Sequence, residues 1–209
     1  MLVINQNDPS AIELACKFLR EGKVISFATD TVYGVGVDAS NFKAIQRLYE
    51  IKNREAKKPI AIFVKNLTAA KKIFFFGDLA QKIAEKFLPG SLTLVLKTLP
   101  QGLSCLASNL NQNSDNFLGF RIVRHDFVEK LLENFDRNLA VTSANLSGEP
   151  AAVDAEMIKN YFQNSEIDLL IDGGKTKTGV ASTVVKIDNE TATVLRQGAI
   201  DLTSFLKDA

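Results

Sequence analysis

A single histidine, only two cysteines, a near-zero charge balance and the lack of any long apolar run set the first limits on this chain of 209 residues. A helix that crosses a bilayer needs about 20 consecutive apolar residues, and no stretch approaches that length. The N-terminus from Met1 to Pro9 has neither the basic lead nor the long apolar region of a secretion signal, so a cytoplasmic product is expected. Cys16 and Cys105 fit no metal spacing and are too few for a disulfide framework. With His125 as the one imidazole, a Ser-His-Asp hydrolase has a single candidate base, which argues against that chemistry. An excess of either charge is missing too, with 25 Lys plus Arg against 24 Asp plus Glu. A protein that coats duplex nucleic acid needs a broad basic face to neutralise many phosphates, so nucleic-acid contact here should be local.

What is present is a composition ordinary for a soluble globular protein, 46% apolar and 23% charged. The length suits one sizeable core, and one domain over residues 1–209 is expected. Helix and strand patterns interleave. Asp8-Pro9-Ser10 supplies a cap and an N1 proline for a helix with Ile12, Ala15, Cys16 and Leu19 on one stripe, closed by Gly22. Ala44, Ile45, Leu48 and Ile51 mark a second helix beginning after Ser40. Thr68 and Asp78 read as caps of two more, and others cover 127–135 and 155–162. Short apolar runs at 24–28, 59–64, 91–97, 118–123, 139–142 and 167–171 read as strands. A terminal hairpin joins 182–187 to 193–196 around Asp188-Asn189-Glu190. Such a hairpin argues against a purely parallel sheet, and the expected architecture is a single-domain α/β fold with a twisted, open, mixed sheet and flanking helices. Residues 98–116 are polar and Asn-rich without a period, and read as a mobile loop or lid.

Four cations lie within the seven residues Lys52 to Lys58, at Lys52, Arg54, Lys57 and Lys58. They fall on a connection between a helix and a strand, where an Arg fork and a Lys point charge together suit a polyphosphate. Taken alone the cluster reads better as solvated surface charge, and only partners elsewhere in the chain overturn that. The stretch Gly34-Val-Gly36-Val-Asp-Ala39 matches the loose dinucleotide pattern G-x-G-x-x-[GA], but the next helix starts too late and the following strand ends without an acidic residue. Its glycines read instead as points where the backbone approaches a neighbour or bends. Gly173-Gly174-Lys175-Thr176 lacks the earlier glycine of a phosphate loop, since position 169 is Leu. Arg121 sits in the middle of an apolar strand and needs an anion, either a structural carboxylate or a ligand. The segment from Thr142 to Pro150 empties from a strand end into a hydroxyl-rich loop, a usual place for ligand groups in open α/β sheets.

In order and spacing, Thr29-Asp-Thr-Val-Tyr-Gly, Lys52-x-Arg54, Ser143-x-Asn145-Leu-Ser-Gly, Ser182-Thr-Val-Val and Leu195-Arg196-x-Gly198 resemble the YrdC/Sua5 family, the threonylcarbamoyl-AMP synthases. The resemblance covers nearly the whole chain and is to the short, single-domain type. It implies a YrdC-like fold with a central basic cavity. It also implies a nucleotidyltransferase that makes threonylcarbamoyl-AMP and pyrophosphate from L-threonine, bicarbonate or CO2, and ATP, with Mg²⁺ on the phosphates. The product feeds N6-threonylcarbamoyladenosine formation beside the anticodon of tRNA, through downstream threonylcarbamoyl-transfer proteins and with at most a weak tRNA contact. By family position Lys52, Arg54, Lys58, Asn145 and Arg196 are expected on ATP, and Thr31, Arg121, Ser143 and Ser182 on threonine. Lys52, Arg54 and Ser143 are the expected catalytic set, and no protein-held metal is expected. Each assignment has a plainer counterpart: Thr31 and Ser182 as turn residues, Asn145 as a loop former, Arg196 as a surface cation. Glu55 and Ser91 stand where many members have Pro, Val123-Arg124 replaces a common Pro after Arg121, and Phe63 stands where some carry a His that helps hold threonine. The rival reading is a non-catalytic module of the same fold that binds double-stranded RNA or tRNA.

Overall fold

The computed structural model describes residues 1–52, 60–110, 116–146, 148–163 and 167–208. The chain opens with β1 (Leu2–Asn5), α1 (Ala11–Arg20), β2 (Ile25–Phe27), β3 (Gly34–Asp38), α2 (Phe42–Ile51), β4 (Ala61–Phe63), α3 (Leu67–Lys71) and α4 (Asp78–Phe87). It continues through β5 (Leu92–Lys97), α5 (Pro100–Leu103), β6 (Phe117–Arg121), α6 (Asp126–Phe135) and β7 (Leu139–Ser143). It closes with α7 (Ala155–Tyr161), β8 (Leu169–Asp172), β9 (Thr183–Asp188), β10 (Thr191–Arg196) and α8 (Thr203–Asp208). The strands form one sheet in the order β1-β8-β2-β3-β7-β4-β6-β5-β9-β10. Parallel pairs (β1/β8, β8/β2, β4/β6, β5/β9) mix with antiparallel ones, so the expected mixed sheet is what forms.

Alternation along the central strands explains why both faces are covered. Ile25, Phe27, Phe63, Leu139, Val141, Leu169 and Ile171 share one core with the apolar stripes of α1 and α6. Their neighbours Ile62, Ala140 and Leu170 enter the other core, with α2 and α7. A period of about 3.6 residues puts Ala11, Ala15, Cys16 and Leu19 on one side of α1, and all four are buried. Ala44, Ile45, Leu48 and Ile51 do the same for α2, whose N-cap Asn41 accepts from the Ala44 amide. No helix among the described residues is long and apolar enough to cross a membrane.

Several local expectations are corrected. The Gly-x-Gly stretch, for which no strand was read from sequence, is β3, buried from Gly34 to Asp38 and paired with β2 and β7, and the close approach to neighbours read from its glycines is what occurs. A Cβ at Gly34 would lie 2.8 Å from Val141 Cγ1, and one at Gly36 would lie 3.1 Å from the Phe27 ring. These glycines are there because bulky neighbours on both flanking strands fill the space a side chain would need. Residues 98–110 are packed, not a free lid. The Leu99 amide bonds Ile73 O at 2.7 Å, the Ala107 amide bonds Ala39 O at 2.9 Å, and Leu106 and Leu110 are in the core. Residues 111–115 lie outside the described set. α1 starts at Ala11, with Asp8 folded back onto the Ser10 amide and hydroxyl instead of capping the helix. Asn66, not Thr68, caps α3, and Gly77, not Asp78, precedes α4. Of the three consecutive phenylalanines only Phe74 is fully buried, stacked 4.7 Å from Phe120, while Phe75 is exposed.

Candidate active site

The central strands end around a cavity of about 350 Å³. Its floor is apolar or small, formed by Gly34, Ala61, Val95, Gly119 and Val141, and its polar groups come from chain segments far apart in sequence. Thr29 and Thr31 arrive from the turn between β2 and β3, Arg121 from the end of β6, Ser143 from the end of β7, Ser182 just before β9, and Arg196 from the end of β10. Five of the residues singled out from sequence, Thr31, Arg121, Ser143, Ser182 and Arg196, therefore meet on one wall system. Among the described lining residues only Arg121 and Arg196 are cationic. Of the other residues expected on ATP, Lys52 and Asn145 are described but are not among the lining residues, and Arg54 and Lys58 lie outside the described residues.

Arg121 answers the question its strand position posed. It is buried, and its Nη2 donates to Asp30 Oδ1 at 2.7 Å and to Gly90 O at 3.3 Å, while Nη1 donates to Thr31 Oγ1 at 3.1 Å. The anion it meets is a structural carboxylate from the Thr29-Asp30-Thr31 turn. Burial pulls the guanidinium below its ordinary pKa, Asp30 pulls it back up, and the charge of Arg196 again opposes it. Two guanidiniums that feel each other across one cavity favour an anion between them. The Phe63 ring lies 5.5 Å beneath the Arg121 guanidinium, a cation–π contact, in the place where some relatives were expected to carry His.

Ser182 is the second junction. Its hydroxyl shares a hydrogen bond with Thr93 at 2.9 Å, and Arg196 Nη2 donates to it at 3.2 Å. Arg196 also grips the Ser182 carbonyl, through Nε at 3.1 Å and Nη2 at 2.9 Å. A register shift between Val194 and Arg196 interrupts the β9/β10 ladder at this point, which re-aims the Arg196 side chain. Gly198 closes the corner, for a Cβ there would sit 2.3 Å from Ala181 O and 2.5 Å from the Ser182 carbonyl carbon.

Lys52 caps the C-terminal end of α2 and is 3% exposed. Its ammonium donates to Ser143 O at 2.7 Å, to Asn145 Oδ1 at 2.7 Å and to Asn145 O. Asn145 is engaged further: its Oδ1 accepts from Ser143 Oγ at 2.8 Å and its Nδ2 donates to Glu149 O at 2.7 Å. Lys52 thus holds the Ser143-x-Asn145 loop in shape, a job that sequence alone did not suggest. The Ser143 hydroxyl serves Asn145, not His125, and the imidazole is absent from the cavity lining, so no Ser-His pair forms.

Sequence reasoning missed the supports around these groups. Tyr33 donates to Gly174 O at 2.8 Å and accepts from the Gly173 amide at 3.0 Å, and burial pushes its phenol up to about 12, so it works as a neutral link. Thr178 Oγ1 donates to Asp30 O at 3.1 Å, which ties the segment after β8 to the threonine-rich turn. No local sequence signal marks either contact. Among the described residues no group of three or more His, Cys, Asp or Glu is placed to hold a metal ion.

Comparison with known proteins places this architecture among relatives. The Sua5/YciO/YrdC family model, described as "Telomere recombination", matches residues 17–198. A threonylcarbamoyl-AMP synthase of Pyrococcus abyssi is 34% identical over 200 residues, covering 94% of this chain and 56% of the relative. A putative threonylcarbamoyl-AMP synthase of Methanocaldococcus jannaschii is 35% identical over 193 residues, covering 91% of this chain and 87% of the relative. The solved structure of P. abyssi Sua5 complexed with L-threonine superposes with a TM-score of 0.90 at 31% identity, over 99% of this chain and 60% of that one. The chain therefore spans little more than half the length of the Pyrococcus relative.

Proposed function

We propose, since the chain belongs to the Sua5/YciO/YrdC family, that its cavity makes threonylcarbamoyl-AMP and pyrophosphate from L-threonine, bicarbonate or CO2, and ATP. The observation that carries this reading is the convergence of Thr31, Arg121, Ser143, Ser182 and Arg196 on one cavity. A relative of the same fold, solved with L-threonine, supports the amino-acid half of it.

In this reading the threonine amine adds to CO2 to give a carbamate and releases a proton. A carbamate oxygen then bonds to the α-phosphorus of ATP as the bond to the bridging oxygen breaks, and pyrophosphate leaves with that electron pair. No protein nucleophile is needed, which agrees with the lack of a Ser-His pair. Catalysis is positioning and charge stabilisation. Arg121 meets the threonine carboxylate, as a guanidinium fork suits a planar carboxylate. Thr31 and Ser182 hold the rest of the amino acid, and Ser143 lies between the two substrates, where a hydroxyl can donate or accept. Arg196 serves the phosphates, Arg54 and Lys58 are assigned to them by family position alone, and Lys52 acts through the Ser143-x-Asn145 loop that its ammonium holds. Among the described residues no group of three or more His, Cys, Asp or Glu is placed to hold Mg²⁺, and an ion carried on the nucleotide would supply charge stabilisation at the phosphates.

The enzyme would be a cytoplasmic nucleotidyltransferase, handing its adenylate to threonylcarbamoyl-transfer proteins that modify tRNA. The test is pyrophosphate release from ATP by the purified chain, with L-threonine and bicarbonate added singly and together. Release that needs both supports the reading, and ATP turnover indifferent to threonine overturns it. RNA affinity that falls steeply with salt, with no nucleotide binding, would support the RNA-binding module instead.

A further inference from the structure

Asp30 does not line the cavity, yet it holds the guanidinium that does, and we propose that Asp30 is the positioning residue that fixes Arg121 for the carboxylate of the amino-acid substrate. This inference rests on the reading of Arg121 as the carboxylate-binding group. The two side chains are 11% and 7% exposed, so their 2.7 Å contact is shielded from solvent. The second carboxylate oxygen is also committed, since Asp30 Oδ2 accepts from Ser91 Oγ at 2.9 Å. The next hydroxyl residue in the same turn, Thr31, takes the other terminal nitrogen of Arg121 at 3.1 Å.

The turn itself is pinned from outside. Thr178 Oγ1 reaches Asp30 O at 3.1 Å and Thr31 O at 3.2 Å, and the Gly179 amide donates to Thr31 O at 3.1 Å. Asp30 therefore cannot follow Arg121 if the guanidinium drifts, and the guanidinium cannot drift without losing a charge-assisted bond. Its Nε is buried without a partner among the described residues, so the position of Arg121 is set at its far end, by Asp30 and Thr31. An incoming carboxylate meets a fork whose orientation is already fixed, and little of the binding free energy is spent on ordering a long side chain. Ser91, which stands where many relatives were expected to carry Pro, supplies a hydroxyl that a proline could not.

The experiment compares Asp30→Asn, which keeps shape and loses charge, with Asp30→Glu, which keeps charge at a different reach. In steady-state pyrophosphate release, Asp30→Asn should raise the threonine KM by about tenfold or more while kcat and the ATP KM stay within about twofold. Asp30→Glu should bring the threonine KM back to within about threefold of the parent. A merely structural role would lower thermal stability in both variants without this split. The second readout is the ¹⁵N–¹H signal of Arg121 Nε, which should be sharp in the parent and shifted or broadened in Asp30→Asn. Should Asp30→Asn fail to fold, Ser91→Ala removes only the second anchor of Asp30 and should move the same signal and the same KM in the same direction. An unchanged threonine KM with an unchanged Arg121 signal overturns the inference. If the parent turns over ATP without threonine, the functional reading falls, and the Arg121 signal alone still decides whether Asp30 positions that side chain.

Discussion

Replacing Lys52 with methionine keeps a long unbranched stem and removes the ammonium, which isolates what the charge does for the loop it grips. Three acceptors lose the ammonium at once, Ser143 O, Asn145 O and Asn145 Oδ1, the last keeping the Ser143 hydroxyl as a donor. A net hydrogen bond is worth about 1 kcal/mol, and one to a charged donor about 1.5–3 kcal/mol. The sum would approach about 6 kcal/mol, but two terms reduce it. Ser143 and Asn145 are only partly buried, so water can reach some of the vacated acceptors, and the cost of burying the ammonium is recovered. A loss of about 2–3 kcal/mol is the expected balance. For a chain of this size each kcal/mol lowers Tm by about 2–4 °C, so calorimetry should show a fall of about 5–10 °C. Threonine-dependent pyrophosphate release should fall with it, because Ser143 and Asn145 lose their fixed geometry, and Asn145→Ala in the Lys52→Met background should cost less than in the parent. A Tm unmoved within about 1 °C, with activity abolished, would refute the reasoning and place the Lys52 ammonium on a substrate instead of the loop.

Arg121→Ala leaves the Asp30 carboxylate buried beside Ser91 without its cation, and denaturant unfolding should show a loss of about 3–5 kcal/mol. Gly198→Ala places a methyl 2.3 Å from Ala181 O, so it should destabilise by about 1–3 kcal/mol and weaken nucleotide binding by shifting Ser182 and Arg196, read by calorimetric titration. Burial pulls His125 below its ordinary pKa, and its Nδ1 is buried without a partner among the described residues. The unfolded chain protonates this imidazole near pH 6.5 while the folded chain still resists, so stability should fall as pH drops through about 6.5 toward the folded value. Urea midpoints at pH 7.5 and 5.5 should show that fall in the parent and a smaller one in His125→Gln.

The legible parts of this fold were those where burial is one-sided. The stripes of α1 and α2 keep their period because one face of each helix stays wet, so Ala15, Leu19, Ile45 and Leu48 were placed from sequence. β3 was not, because glycine favours no strand and the reason for it lies in Phe27 and Val141 on two other strands. Residues 98–110 hide their packing for a similar cause: Leu106 and Leu110 enter the core without a period that any regular element would impose. At the site, the need of Arg121 for an anion could be read from its apolar neighbours, but the identity of that anion could not, since Asp30 lies 91 positions away. The grip of Lys52 on backbone carbonyls leaves no trace in a motif made of side chains.

The placement of β9 between β5 and β10 carries a consequence for synthesis. Leu92 pairs with Thr183, so the wall that bears Ser182 and Arg196 is contributed by the two strands made after the other eight of this sheet. A nascent chain that has completed everything through β8 has a nearly full sheet and no closed chamber. Affinity for either small molecule should therefore arise only once β10 has been made, and a fragment that stops after β8 should bind neither.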